Sequence, residues 1–102
     1  MMKGYLVYVK IVWGVTMEKY RKKLDTIDQK MKELFLERME VVKEIAKYKK
    51  QHNLPVEDQS RENQMFQELF VNDPILKDLY TKFLLEIIAV SKIYQETLMK
   101  EE

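Results

Sequence analysis

Three arginines, Arg21, Arg38 and Arg61, stand in a chain that otherwise carries its positive charge on fifteen lysines. Lysine serves solubility. An arginine in that background supplies a planar fork of donors that suits carboxylates and phosphates, although three arginines also fit a compositional accident. Arg38 is the most informative. It falls in the run Tyr20, Leu24, Ile27, Met31, Leu34, Arg38, Val41, Ile45, Tyr48, whose spacings alternate four and three and whose other members are all apolar or tyrosine. An unpaired arginine in such a seam is costly and requires an anion. An internal ion pair, or a side chain that reaches out of the seam, would also satisfy it. Lys49 follows eleven residues later, about three turns plus 20°, so it projects from nearly the same helix face roughly 16 Å along the axis. Two cations at that reach can grip a small dianion. By itself, Lys49 also reads as a solvated lysine in the run Lys47, Lys49, Lys50.

Arg21 precedes Lys49 by 28 residues, roughly 42 Å on one helix, too far to serve the same small ligand within a chain. Joining that site requires a second chain packed antiparallel. Ser91 and Gln95, four apart in line with Leu84, Ile87 and Ile88, form a neutral polar notch that fits a cross-helix hydrogen bond or a ligand contact equally well. Asp58, Arg61 and Glu62 cluster where a second helix should start, and capping with i,i+4 pairing also accounts for them. His52, beside Asn53 in a turn, reads as solvated, and the methionines as core filler.

Composition removes whole classes of chemistry. There is no cysteine and one histidine, which excludes disulfides, thiolate catalysis, cysteine-bound zinc and multi-histidine metal sites. A net charge of +1 disfavours a dedicated nucleic-acid binder. No apolar run reaches the roughly 18 residues of a membrane span. Hydrophobic residues at 46% and charged residues at 34%, with only two glycines and two prolines, fit amphipathic helices and disfavour a turn-rich β fold.

The elements that must position these residues are three helices in an all-α chain. The first is expected over about 17–51, roughly 50 Å long, and stops because Pro55 cannot extend it. A second, about 58–70, starts at an Asp58 cap and turns Phe66, Leu69 and Phe70 to one side. A third, about 74–100, begins with Pro74 in its first turn and buries a stripe of Leu76, Leu79, Tyr80, Phe83, Leu84, Ile87, Ile88, Tyr94 and Leu98. The short second helix cannot cover the long first one, so a helical dimer is expected. Residues 1–16 differ in composition, being β-branched and aromatic with both glycines, Gly4 and Gly14. Lys10 and the lack of a small-residue cleavage site disfavour a signal peptide. The preferred reading is a dispensable extension ahead of Met17, with strand and helix both open.

Read in order, Leu24-Asp25-Thr26-Ile27-Asp28, Glu37-Arg38-Met39, Ile45-Ala46-Lys47-Tyr48-Lys49, Leu54-Pro55-Val56-Glu57-Asp58, Arg61-Glu62, and then Ser91 and Gln95 resemble the all-α (type II) chorismate mutases over about residues 20–100. Each segment alone is weak; the series is specific. The resemblance implies an intertwined homodimer of three-helix chains that rearranges chorismate to prephenate, on the route to phenylalanine and tyrosine. It implies that Arg38, and Arg21 of the other chain, bind the two substrate carboxylates. Lys49 would contact the ether oxygen and a carboxylate, and Gln95 the same ether oxygen. Glu62 would hold the ring hydroxyl, Asp58 and Arg61 would shape the mouth of the pocket, and Ser91 would support a carboxylate.

This chemistry suits the residue types. A unimolecular rearrangement needs no nucleophile, proton transfer, metal or cofactor. It needs the substrate held in its compact conformer and charge stabilised on the ether oxygen. A monofunctional, cytoplasmic enzyme is expected, with no nucleic-acid or membrane partner and with association to another shikimate-pathway enzyme left open. Two alternatives are isochorismate pyruvate lyase on the same fold, which the Val56-Glu57-Asp58 and Arg61-Glu62 elements disfavour, and a non-catalytic helical interaction module.

Overall fold

A computed structural model describes the backbone of residues 2–101 and the side chains of residues 16–101. Three helices account for nearly all of it: α1 (Met2–Gln51), α2 (Gln59–Gln67) and α3 (Pro74–Lys100). No strand occurs among the described residues. The all-α expectation therefore holds. The chain forms two compact units, Met1–Glu37 and Arg38–Glu102. α1 contributes to both.

α1 starts at Met2, not near residue 17 as expected, so residues 2–16 resolve the open choice in favour of helix. Extending an existing helix requires no new nucleus, and glycine or β-branched residues cost only about 1 kcal/mol or less each. The other end matches. Lys49 and Lys50 sit in the last turn, where cations complement the helix dipole. Asn53 then takes φ 53°, a left-handed conformation that asparagine tolerates. The Leu54 N–H donates to the Lys49 carbonyl at 2.8 Å and the Asn53 N–H to the Lys50 carbonyl at 3.4 Å. Together these form a Schellman-type close.

α2 is capped by Asp58, whose carboxylate accepts from the Arg61 N–H at 3.0 Å. It ends at Gln67, three residues earlier than expected. There the Leu69 N–H turns to the Phe66 carbonyl at 3.3 Å, a tightened closing turn of the kind that terminates helices. Phe70 is left 90% exposed. Asp73 caps α3 through the N–H groups of Ile75 and Leu76, both at 2.9 Å, with Pro74 in the first turn as expected.

The core of the second unit is small. It consists of Val42 and Ala46 on α1 and Leu84 and Ile88 on α3, continued along α3 by buried Ser91 and Gln95. The α1 face that packs here is displaced by one residue, about 100° of rotation, from the four-three seam read in the sequence. The seam residues Val41, Ile45 and Tyr48 stay exposed, as do Tyr20, Leu24, Ile27, Met31 and Leu34 in the first unit. The stripe expected to be buried on α3 is likewise only partly so. Leu76, Leu79, Tyr80 and Phe83 are exposed within the single chain. Two apolar surfaces thus remain after the chain has satisfied its own core.

Candidate active site

Seven of the eight residues singled out as site candidates line one cavity of about 360 Å³ in the second unit: Arg38, Lys49, Asp58, Arg61, Glu62, Ser91 and Gln95. Its size falls within the usual range for small-ligand sites. α1 supplies the wall with Arg38 and Lys49, α2 and its cap supply Asp58, Arg61 and Glu62, and α3 supplies Ser91 and Gln95. Val41, Val42, Ile45, Val56, Met65 and Ile88 make the apolar remainder. The eighth candidate, Arg21, lies in the first unit and is not part of this lining.

Each of the two α1 cations in the cavity is held by a residue of α3. Arg38 donates to the Ser91 hydroxyl oxygen, and that hydroxyl donates in turn to the Ile87 carbonyl at 2.7 Å. The serine proton is thereby committed to backbone and its lone pair to the arginine, so Ser91 orients Arg38 and is not set up as a nucleophile. Lys49 donates to the Gln95 carboxamide oxygen at 2.9 Å and to the Val56 carbonyl at 2.8 Å. One ammonium donor remains for a ligand. Because the Gln95 oxygen is taken by Lys49, the amide nitrogen is the end left to donate.

The electrostatics favour an anionic guest. Among the described residues, no carboxylate lies within ion-pair distance of Arg38, Lys49 or Arg61. Burial first, and the neighbouring Arg61 charge second, pull the Arg38 guanidinium below the usual arginine range. Its charged form is held at a cost that an anion would relieve. The lining carries four cations, Arg38, Lys49, Arg61 and Lys92, against two acids, Asp58 and Glu62. Lys92 is already paired with Glu62 and with Glu57, so Arg38, Lys49 and Arg61 are the lining cations left without a carboxylate partner and suit an anionic guest.

Lys92 was not anticipated. It forms ion pairs with Glu62 at 2.8 Å and Glu57 at 3.1 Å. In a chain of fifteen lysines, nothing in its spacing separates it from those that serve solubility. His52 does sit in a turn, exposed as expected, with its ring stacked on Tyr48 at 4.0 Å between centroids. It takes no part in the cavity. Among the described residues, no group of three or more histidine or acidic side chains could hold a metal ion, and no helix is long and apolar enough to cross a membrane.

The arrangement offers a cavity richer in cations than in acids, one carboxylate in Glu62, and two donors, the Lys49 ammonium and the Gln95 amide, held side by side. The family model described as chorismate mutase type II matches residues 20–96. Comparison with curated proteins and with solved structures gives no match.

Proposed function

Since the chain belongs to the type II chorismate mutase family, we propose that its cavity converts chorismate to prephenate. The observation that carries this reading is the Lys49–Gln95 pair beside Arg38, two cations with no carboxylate partner sharing one cavity.

The reaction is a Claisen rearrangement. The ether C–O bond breaks as a new C–C bond forms, and no proton or electron leaves the substrate. Arg38 takes one carboxylate through the donors that Ser91 does not occupy. Arg21 of a second chain takes the other. With both ends fixed, the enolpyruvyl group is held over the ring in the reactive conformer. Negative charge then grows on the ether oxygen, where the free Lys49 donor and the Gln95 amide nitrogen receive it without reorganising. Glu62 accepts from the ring hydroxyl, and Asp58 and Arg61 shape the mouth of the cavity. A rate gain near 10⁶ requires about 8 kcal/mol from these two effects together.

The second chain also answers the packing. The exposed seam of Tyr20, Leu24, Ile27, Met31, Leu34, Val41, Ile45 and Tyr48 is the surface for a homodimer. The catalytic part is assigned to residues 17–102, with 1–16 a dispensable extension, a division supported by the family match beginning at residue 20. The enzyme is assigned to phenylalanine and tyrosine biosynthesis in the cytoplasm.

The test is an NMR time course of the purified protein with chorismate and, separately, with isochorismate. Prephenate formed faster than in the protein-free control is the expected result. Pyruvate from isochorismate alone would replace the mutase with a lyase, and turnover of neither by a folded dimer would leave a binding module.

A further inference from the structure

Glu62 presents an asymmetry that its own helix does not explain. Its side chain is 15% exposed, and Oε1 pairs with the Lys92 ammonium at 2.8 Å. Oε2 is buried and has no hydrogen-bond partner. A buried carboxylate oxygen without a donor is costly, and native structures rarely leave one so. Both Glu62 and Lys92 line the cavity, so a small turn of the carboxylate on binding, with Lys92 still held to Oε1, would bring Oε2 to a donor on the bound molecule.

We propose that Lys92 is a positioning residue: by fixing Oε1 of Glu62 it presents Oε2 as the acceptor for the ring hydroxyl of the substrate. This rests on the mutase reading above. Lys92 stands beside Ser91 on α3, one turn before Gln95. The three residues do parallel work: Ser91 orients Arg38, Gln95 orients Lys49, and Lys92 orients Glu62. A carboxylate free to rotate would divide its time among several orientations, whereas one anchored through Oε1 by an ammonium has few orientations left from which to meet the hydroxyl. The ion pair also favours the charged lysine, raising Lys92 above its ordinary range chiefly through Glu62 and then Glu57.

Lys92 has a second contact that must be separated from the first. Its 3.1 Å bond to Glu57 ties α3 to the segment that carries Val56, whose carbonyl accepts from Lys49. Loss of Lys92 through that route would disturb Lys49 and slow any substrate. Loss through Glu62 would be felt only by a substrate that has the hydroxyl.

The experiment compares kcat/KM for chorismate and for an analogue with hydrogen in place of the ring hydroxyl, in the unaltered protein and in Lys92→Met, Lys92→Arg and Glu57→Gln. Lys92→Met is expected to lose about 10- to 100-fold on chorismate, the scale of one hydrogen bond to a charged group, and less than about threefold on the analogue. Lys92→Arg should recover most of the loss, and Glu57→Gln should keep the preference for the hydroxyl. Equal losses on both substrates, or no loss on either, would overturn the proposal, as would an unaltered protein that does not prefer the hydroxyl. Failure of the unaltered protein to turn over chorismate would remove the mutase reading and this inference with it, a result visible before any variant is made. Melting curves identify a Lys92→Met chain that has not folded, in which case the Lys92→Arg profile decides: a preference restored to that of the unaltered protein supports the proposal, and its absence overturns it.

Discussion

Lys49 on α1 donates to the carboxamide oxygen of Gln95 on α3 at 2.9 Å, across 46 residues of sequence. The bond fixes which end of the amide can donate and leaves the ammonium one unused donor. It also places side by side the two groups we propose receive charge on the breaking C–O bond. Both side chains are held before any substrate arrives, Lys49 by a second bond to Val56 and Gln95 by burial. Such preorganisation is what gives hydrogen bonds their catalytic value.

Gln95→Leu removes the amide donor while keeping an apolar side chain in a buried position. The expected loss in kcat is about 10²- to 10³-fold, the scale of losing one preorganised donor. Steady-state kinetics on chorismate measures it, and circular dichroism confirms that the helices persist.

Arg38→Leu separates a catalyst from a coiled-coil adaptor. Arg38 is half-buried, has no carboxylate partner, and sits beside Arg61. Replacing it with leucine should leave stability unchanged or raise it by roughly 1 kcal/mol, because desolvation of an uncompensated charge is relieved. Activity should fall at least about 100-fold as a carboxylate clamp is lost. Urea denaturation and turnover, measured on one preparation, give both numbers.

Sharing of the site between chains has a quantitative signature. Arg21→Ala and Lys49→Ala chains should each be inactive alone. Mixed one to one and allowed to exchange, they form hybrids in which one of two sites has both residues, so about a quarter of the unaltered activity should return. Chains that exchange, as shown by native mass spectrometry, yet recover nothing would contradict a site built from two chains.

Lys92 links stability to pH. Its folded value is raised by Glu62 and Glu57, so the stabilisation is fully present below the ordinary lysine value and is lost as pH rises through the raised one. The difference in urea midpoint between the unaltered protein and Lys92→Met should therefore hold steady up to about pH 10 and shrink above it. Denaturation series at closely spaced alkaline pH values measure that difference.

Much of this architecture was legible in local chemistry. Pro55 and Asn53 mark the end of α1, Asp58 and the Asp73-Pro74 pair mark the starts of α2 and α3, and Arg38 was visible as the one charge in an apolar series. Spacing placed Arg38 with Lys49, and Ser91 with Gln95, on their helix faces, but it could not show that each member of one pair holds a member of the other. That pairing depends on packing between residues about 50 apart. The seam was read on Val41, Ile45 and Tyr48, whereas the core of the chain uses Val42 and Ala46. An apolar series marks a face as suited to burial without stating what covers it. Lys92 escaped because a lysine acquires meaning only from its partners, and Glu62 lies on another helix. The first sixteen residues were ambiguous because β-branched residues tolerate both helix and strand.

The most direct measurement of the central claim follows chorismate and prephenate by NMR with the unaltered protein, with Lys49→Met, and without protein. The account predicts rapid formation of prephenate by the unaltered protein. It predicts a rate at least about 100-fold lower for Lys49→Met with its helical content intact. Equal rates in the two proteins would contradict the assignment of Lys49 and Gln95 to the ether oxygen, and no acceleration by either would contradict the mutase itself.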